Sequence, residues 1–286
     1  MQFWLIQTLN SVALGGLLFL LSSGFSLIFG LLRIPNLAHG ALFMLGAYLG
    51  AALLGWGAEF WLATLIAGLI VGLFGTILER FILRQLAGNE QGQVLMTLGI
   101  AFVIADLCLM TWGGDPVPLS APRALRTPLF IGGFAFPTYR LVVLAIALVA
   151  VVLLYSLMER TRLGAMIRAG VDDMQMARGV GIPVSRLFTI VFFLGAALAG
   201  AGGVIGGPIL SAYPGLDTEM LPLALIVVIL GGVGSLLGAL VGSFLVGFIY
   251  NFGTALFPDL AYVILFLPMV FALVFKPQGL FGRVQV

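Results

Sequence analysis

Eight stretches of the chain, at about 3–32, 37–55, 60–79, 94–112, 139–158, 187–206, 219–256 and 260–275, run almost without charge. A hydrocarbon core of roughly 30 Å takes about 20 apolar residues per helix, so such runs constrain the chain to a bilayer before anything else is read. The first run approaches 30 residues and the seventh approaches 40, more than one upright helix needs. The seventh is interrupted by Gly231-Gly232-Val233-Gly234-Ser235, which predicts two helical pieces joined at a break. Unwound backbone at membrane depth is tolerated only where protein buries it or a polar cavity faces it. The expected fold class is all-α: a polytopic helical membrane protein with about 8–9 transmembrane helices, some broken at Gly-rich segments. No Ser-rich or charged linker marks a second unit, so residues 1–286 read as a single membrane domain.

Composition agrees. Hydrophobic residues make up 62% of the chain and charged residues 8%, too little charge to cover a soluble surface. The 39 glycines point to closely packed helices, because small residues let backbones approach. A net charge of +2 gives no footing to a nucleic-acid partner. Cys108 is the only cysteine, sits in an apolar run, and is expected to pack as a small hydrophobe. Residues 1–9 lack the basic region of a cleavable signal, so the first apolar run is expected to remain as a span.

The cations set an orientation. With the polar loop at 159–186 inside, Arg33, Arg80, Arg84, Arg160, Arg162, Arg168, Arg178, Arg186, Lys276 and Arg283 all fall inside, whereas Arg123, Arg126 and Arg140 fall outside. That bias follows the positive-inside rule. It places the N-terminus outside and the C-terminus inside, which requires an odd number of spans. Glu59, Asp115, Asp217, Glu219 and Asp259 then lie in outer turns. The longest outer loop, 113–138, carries Pro116, Pro118, Pro122, Pro128 and Pro137 and is expected to be extended and irregular.

Energy must come from elsewhere. A phosphate-binding loop needs Gly-x-x-x-x-Gly-Lys followed by Ser or Thr, and the sole lysine, Lys276, precedes Pro277. There is no zinc helix and no cysteine pair. Gly232-Val233-Gly234-Ser235 lacks the nucleophile-elbow pattern, so an enzyme reading finds no constellation to work with.

The 159–186 segment can form a short helix over Leu163 to Gly179, stopped by Gly179, Gly181 and Pro183. Met166, Ala169, Val171, Met174 and Ala177 would mark its apolar side. It reads either as a solvated hairpin loop or as a helix seated in a partner's groove. The stretch RAGVDDMQMARGVGIPVSRLFTIVFFLGAALAGAGGVIGGPI resembles the signature segment of LivH-type permeases, the branched-chain amino-acid ABC transporter family. IPNLAHGALFMLGAY at 34–48, LERFILRQLAG at 78–88 and GGVGSLLGALVGSFLVG at 231–247 agree with the same family, in its order. The chain departs from that pattern at Gln85, where relatives often carry Pro, and at Asp106, usually apolar or amidic.

The resemblance implies an inner-membrane permease paired with a second permease, either a LivM-like hetero-partner or a second copy. It further implies two cytoplasmic ABC ATPases that bind the ATP, a periplasmic substrate-binding protein, and no cofactor on this chain. By the same resemblance the ATPase-coupling segment is Arg168 to Ile182, with Arg168, Ala169, Gly170, Asp172, Asp173, Ala177, Arg178, Gly181 and Ile182 as its candidate residues. The loop at 113–138 and the turn at 210–218 would offer the outer contact surface. Branched-chain or other hydrophobic amino acids are the default cargo, with urea, short amides and carboxylates as alternatives.

Three places are candidates for the translocation path. Asn36 and His39 stand where one helix ends and another begins; either they form a helix start with His39 bonded to a backbone carbonyl, or they sit at the cytoplasmic mouth of the path. Asp106 lies mid-run, where an ionisable group is costly, and is expected to face the bundle interior or a water-filled cavity. Gly231, Gly232, Gly234 and Ser235 either pack closely or line the path with freed backbone groups. The spacing of Gly195, Ala199, Gly203 and Gly207 favours close helix packing. The rival function is a stand-alone proton-coupled transporter or channel working through Asp106.

Overall fold

A computed structural model describes residues 2–131 and 134–282; Arg283, counted above among the inner cations, lies outside the described residues. The first apolar run is one helix, α1 (Gln2–Leu32), and it forms the core of the bundle, with 83% of its most apolar window buried. Around it stand α2 (His39–Gly55), α3 (Phe60–Phe81), α4 (Glu90–Trp112), α5 (Thr138–Arg160), α8 (Val184–Leu210), α9 (Leu216–Gly231), α10 (Leu236–Leu256) and α11 (Ala261–Phe275). Two short helices, α6 (Arg162–Asp172) and α7 (Met174–Gly179), fill the polar loop between α5 and α8. Seven of the described helices are long and apolar enough to cross a membrane, and α2 is a shorter apolar helix.

Small residues let the inner helices meet backbone to backbone. A Cβ on Gly24 of α1 would stand 2.6 Å from the carbonyl oxygen of Gly195 on α8, and Gly46 of α2 and Gly200 of α8 meet in the same way. The expectation of close packing along Gly195, Ala199, Gly203 and Gly207 holds: Gly203 lies on Phe43 and Gly207 on Leu119, and all four positions are buried. Dispersion contacts and such close approach are what hold helices together where lipid removes the hydrophobic drive.

Side chains fix the helix ends. Glu59 accepts from the N–H groups of Trp61 at 3.0 Å and Leu62 at 3.2 Å to start α3, Asn89 caps α4, and Ser235 caps α10 through Gly238 at 3.0 Å. The Gly-rich break does divide two helices. Gly232 (φ +101°) and Gly234 (φ +76°) adopt backbone that L side chains avoid, and α10 folds back antiparallel on α9, with Gly231 against Gly238 and Val227 against Gly242.

The 113–138 loop is largely irregular, as its prolines demand. It nonetheless ends in a small hairpin, β1 (Pro128–Ile131) against β2 (Phe134–Pro137), which the all-α expectation did not include. Val117 and Ala212 exchange backbone hydrogen bonds of 2.7 and 2.9 Å, tying this loop to the turn between α8 and α9.

Candidate functional site: a coupling face and a buried polar centre

Thr161 accepts from the Gly164 N–H at 3.1 Å and starts α6, whose Gly164, Ile167 and Gly170 pack inward, Gly170 against Leu31 and Leu187. The single helix expected over Leu163 to Gly179 is interrupted at Asp173. That residue is extended (φ −148°), and its carboxylate accepts from the N–H groups of Gln175 and Met176, both at 2.9 Å, to start α7. The competition between an Asp side chain and the helical backbone explains the correction. Of the apolar side expected, Ala177 is buried and Met166 and Val171 pack partly against the core, while the fully buried positions of α6 are Gly164, Ile167 and Gly170.

α7 exposes apolar surface at the tip of the segment: Met176 is 65% and Val180 69% exposed. Arg33, just past the end of α1, donates to the carbonyls of Val171 at 3.3 Å and Asp172 at 3.5 Å, so α6 is fastened to the central helix. Arg168 reaches the carbonyl of Met158 and pairs with Glu159 at 3.4 Å. A cavity of about 1140 Å³ opens here, and Arg168, Asp172, Asp173 and Arg178 all border it. Ala169 and Ile182 are half-buried, while Gly181 occupies an exposed turn at φ +86°.

Gly234 and Ser235 border the same cavity, and Gly234 approaches Gly30 near the end of α1. Leu280 and Phe281 donate to the carbonyls of Leu230 and Gly231 at 2.8 and 2.9 Å, so the C-terminal segment covers the break. The break is therefore a hairpin turn at the end of the bundle that also carries α6, not an unwound stretch at mid-depth. Its positive-φ glycines reverse the chain.

Asn36 and His39 lie deeper than their place in the sequence implies. His39 is fully buried (0%), and its Nε2 is 3.0 Å from the carbonyl of Leu21, eleven residues before the end of α1 at Leu32. Its ring stands 5.3 Å from that of Phe25. Arg33 turns the chain at φ +60°, and residues 34–38 run back inward before α2 begins. The N–H of Leu37 then reaches the Thr97 hydroxyl at 3.2 Å, well inside α4. Both residues are buried within the chain, and the carbonyl partner expected for His39 is Leu21.

Asp217, at the start of α9, is buried as well. It was expected in an outer turn, yet it is 8% exposed and its backbone carbonyl lies against Gly40 of α2. Asn36 Nδ2, His39 Nδ1 and Asp217 Oδ1 are all buried without a hydrogen-bond partner. Asn36 and His39 stand at the start of α2 and Asp217 at the start of α9, and a buried polar atom left so costs of order 1–3 kcal/mol. Sequence reading missed Asp217 because acids in the first turn of a helix look like ordinary capping charge.

Asp106 does not face the interior of this bundle. It lies on the exposed side of α4, along a face that includes Phe102, Val103 and Met110, and none of the described residues encloses it.

Glu79 is the second carboxylate that sequence reading overlooked. It is 2% exposed at the end of α3, bound by Arg84 and by the Thr189 hydroxyl, which donates at 3.0 Å. Arg84 also donates to the Ser185 carbonyl at 3.0 Å, linking α3 to the start of α8. The spacing of Glu79 and Arg84 in LERFILR was the available signal.

Comparison with known proteins gives one family. The profile of the branched-chain amino acid transport system permease component matches residues 7–273. The high-affinity branched-chain amino acid permease protein LivH of Escherichia coli K12 is 26% identical, covering 99% of this chain and 97% of its own. The corresponding BraD protein of Pseudomonas aeruginosa is 27% identical, again over 99% and 97%. Among solved structures, an inward-facing ABC transporter described as of metal-chelate type matches with a TM-score of 0.48 at 18% identity, over 93% of this chain and 82% of that one.

Proposed function

The chain belongs to the family of permease components of branched-chain amino acid transport systems, and on that premise we propose that it is the membrane pathway of an ABC importer powered by separate ATPases. The carrying observation is the α6–α7 unit. It presents Met176 and Val180 to a partner, is broken at a capped hinge by Asp173, and is fastened to α1 by Arg33. A partner that grips α7 therefore pulls on the helix at the core of the bundle. ATP is bound by that partner, and this chain needs no cofactor.

The charge bias supports an inner-membrane orientation with the α6–α7 end in the cytoplasm, the N-terminus outside and the C-terminus inside. On the opposite face, the bridge between Val117 and Ala212 joins the 113–138 loop to the 210–218 turn in one surface suited to a periplasmic binding protein. A second permease subunit covers α4: an ionisable group facing lipid at mid-span costs roughly 2.5–3.5 kcal/mol, and burying Asp106 in a protein interface relieves that cost. Cargo passes the buried centre at Asn36, His39 and Asp217, and hydrophobic amino acids of the branched-chain type are the cargo that the LivH and BraD relatives support.

Reconstitution tests the proposal. Vesicles holding this chain with its partner permease, ATPases and binding protein should take up branched-chain amino acids only when ATP is supplied. Uptake by the purified chain alone, driven by a proton gradient, would overturn it in favour of a stand-alone transporter.

A further inference from the structure

Beside the Glu79–Arg84 pair lies a surface depression of about 440 Å³ between the end of α3 and the start of α8. Three arginines line it, Arg80, Arg84 and Arg186, together with Ser185, Thr189 and Ile190. Glu79 answers one of those charges through Arg84. Among the described residues no carboxylate stands within ion-pair distance of Arg80 or Arg186, and both are exposed. Two unanswered guanidinium groups thus border a hollow that Ser185 also lines.

The walls say what kind of anion belongs there. Ile190 lines the hollow and is 39% exposed; on α3, Ile77 lies one turn before Arg80 and Phe81 next to it, 52% and 60% exposed. An apolar rim on a membrane-spanning helix is suited to acyl chains, and the arginines sit where such a helix ends, at headgroup level. Guanidinium groups bind phosphate oxygens through paired hydrogen bonds, and basic pockets between transmembrane helices hold anionic headgroups. A free phosphate would use the arginines but leave the apolar rim unused.

We propose that this hollow binds the phosphodiester headgroup of an anionic phospholipid, with Arg80 and Arg186 holding the phosphate and Arg84 kept in place by Glu79. The site is independent of which cargo the permease carries. It places a lipid against Ser185 and Thr189 at the base of α8, one short loop from α7.

Native mass spectrometry of the purified chain, with phosphatidylglycerol, cardiolipin or phosphatidylethanolamine added, tests the site. The wild-type chain should retain the anionic lipids about tenfold over the zwitterionic one. R80Q/R186Q should lose that preference, R80K/R186K should keep part of it, and R123Q/R126Q at the opposite end should keep all of it. A thermal melt run in parallel identifies a variant that has merely unfolded, and the wild-type selectivity stands as a test without any variant. Equal retention of all three lipids by wild type would overturn the proposal. So would complete displacement of the bound lipid by inorganic phosphate, which marks a free-anion site. Unchanged lipid retention in R80Q/R186Q with loss of ATPase binding would mark a protein-docking surface and overturn it as well.

Discussion

Arg84 grips Glu79 with two nitrogens: Nε stands 3.0 Å from Oε1, and Nη2 stands 2.9 Å from Oε1 and 2.8 Å from Oε2. The same Nη2 donates to Thr189 at 2.7 Å, so one guanidinium joins the end of α3 to the first turns of α8. The two partners are not equivalent, since the carboxylate is almost wholly buried and the guanidinium is half-exposed. Arg84→Ala strands a buried charge with Thr189 alone and should cost about 3–5 kcal/mol. Glu79→Gln frees an arginine that can turn to solvent and should cost about 1–3 kcal/mol. Unfolding of the two variants in lipid nanodiscs measures the difference, and a larger loss in Glu79→Gln would contradict the pairing.

Gly46→Leu should lower the melting temperature sharply, because α2 and α8 touch backbone to backbone at Gly46 and Gly200. Overpacking of this kind costs about 1–3 kcal/mol, and a clash with backbone belongs at the upper end. Gly99→Leu, at a position with open space around it, is the control and should melt like wild type.

Asp217→Asn separates fold from function. The carboxylate oxygen Oδ1 has no partner to lose, so the isosteric amide should leave stability unchanged or slightly raised. If Asp217 meets the cargo, ATP-driven uptake in the complete system should fall by about tenfold or more, as when a charged group is lost from a buried site. Full transport by this variant would remove Asp217 from the path.

Asp106→Leu should leave the single chain as stable in detergent as wild type, since none of the described residues encloses it. Its association with the second permease should weaken, read as a shift toward monomer on size-exclusion chromatography. Undiminished association would place Asp106 outside the interface.

Asp172→Lys puts a cation beside Arg33, which is fastened to the Val171 and Asp172 carbonyls. ATPase activity in the assembled complex should then continue while uptake falls, a change in the ratio of ATP hydrolysed to solute moved. Normal coupling would show that α6 does not transmit the stroke.

The long spans and the break at Gly231–Ser235 were legible because lipid exposure and helix burial both demand apolar runs, and only a strong interruption stands out against them. That same uniformity hid what lies between. Hydropathy cannot tell a lipid-facing position on α4 from a core-facing one, so Asp106 was expected to point inward. The reversal at Arg33 carries no polar signature, because residues 34–38 run back into apolar surroundings and read as the start of the next span. The burial of Asp217 was hidden for a related reason: the turn through Ser211 (φ +66°) and the bridge to Val117 carry no signature in hydropathy. Resemblance to the permease family singled out the segment at 168–182, but only the Asp173 cap showed that it is two helices.

α2 has 17 residues and rises about 25 Å, short of a bilayer core of roughly 30 Å, and its first turn stands beside the middle of α1. It stands at the lower limit of a spanning length, so on its own it is weakly held across the membrane during synthesis. α2 and α3, joined through the short turn that Glu59 closes, must enter together as a hairpin, with α1 already in place to receive His39.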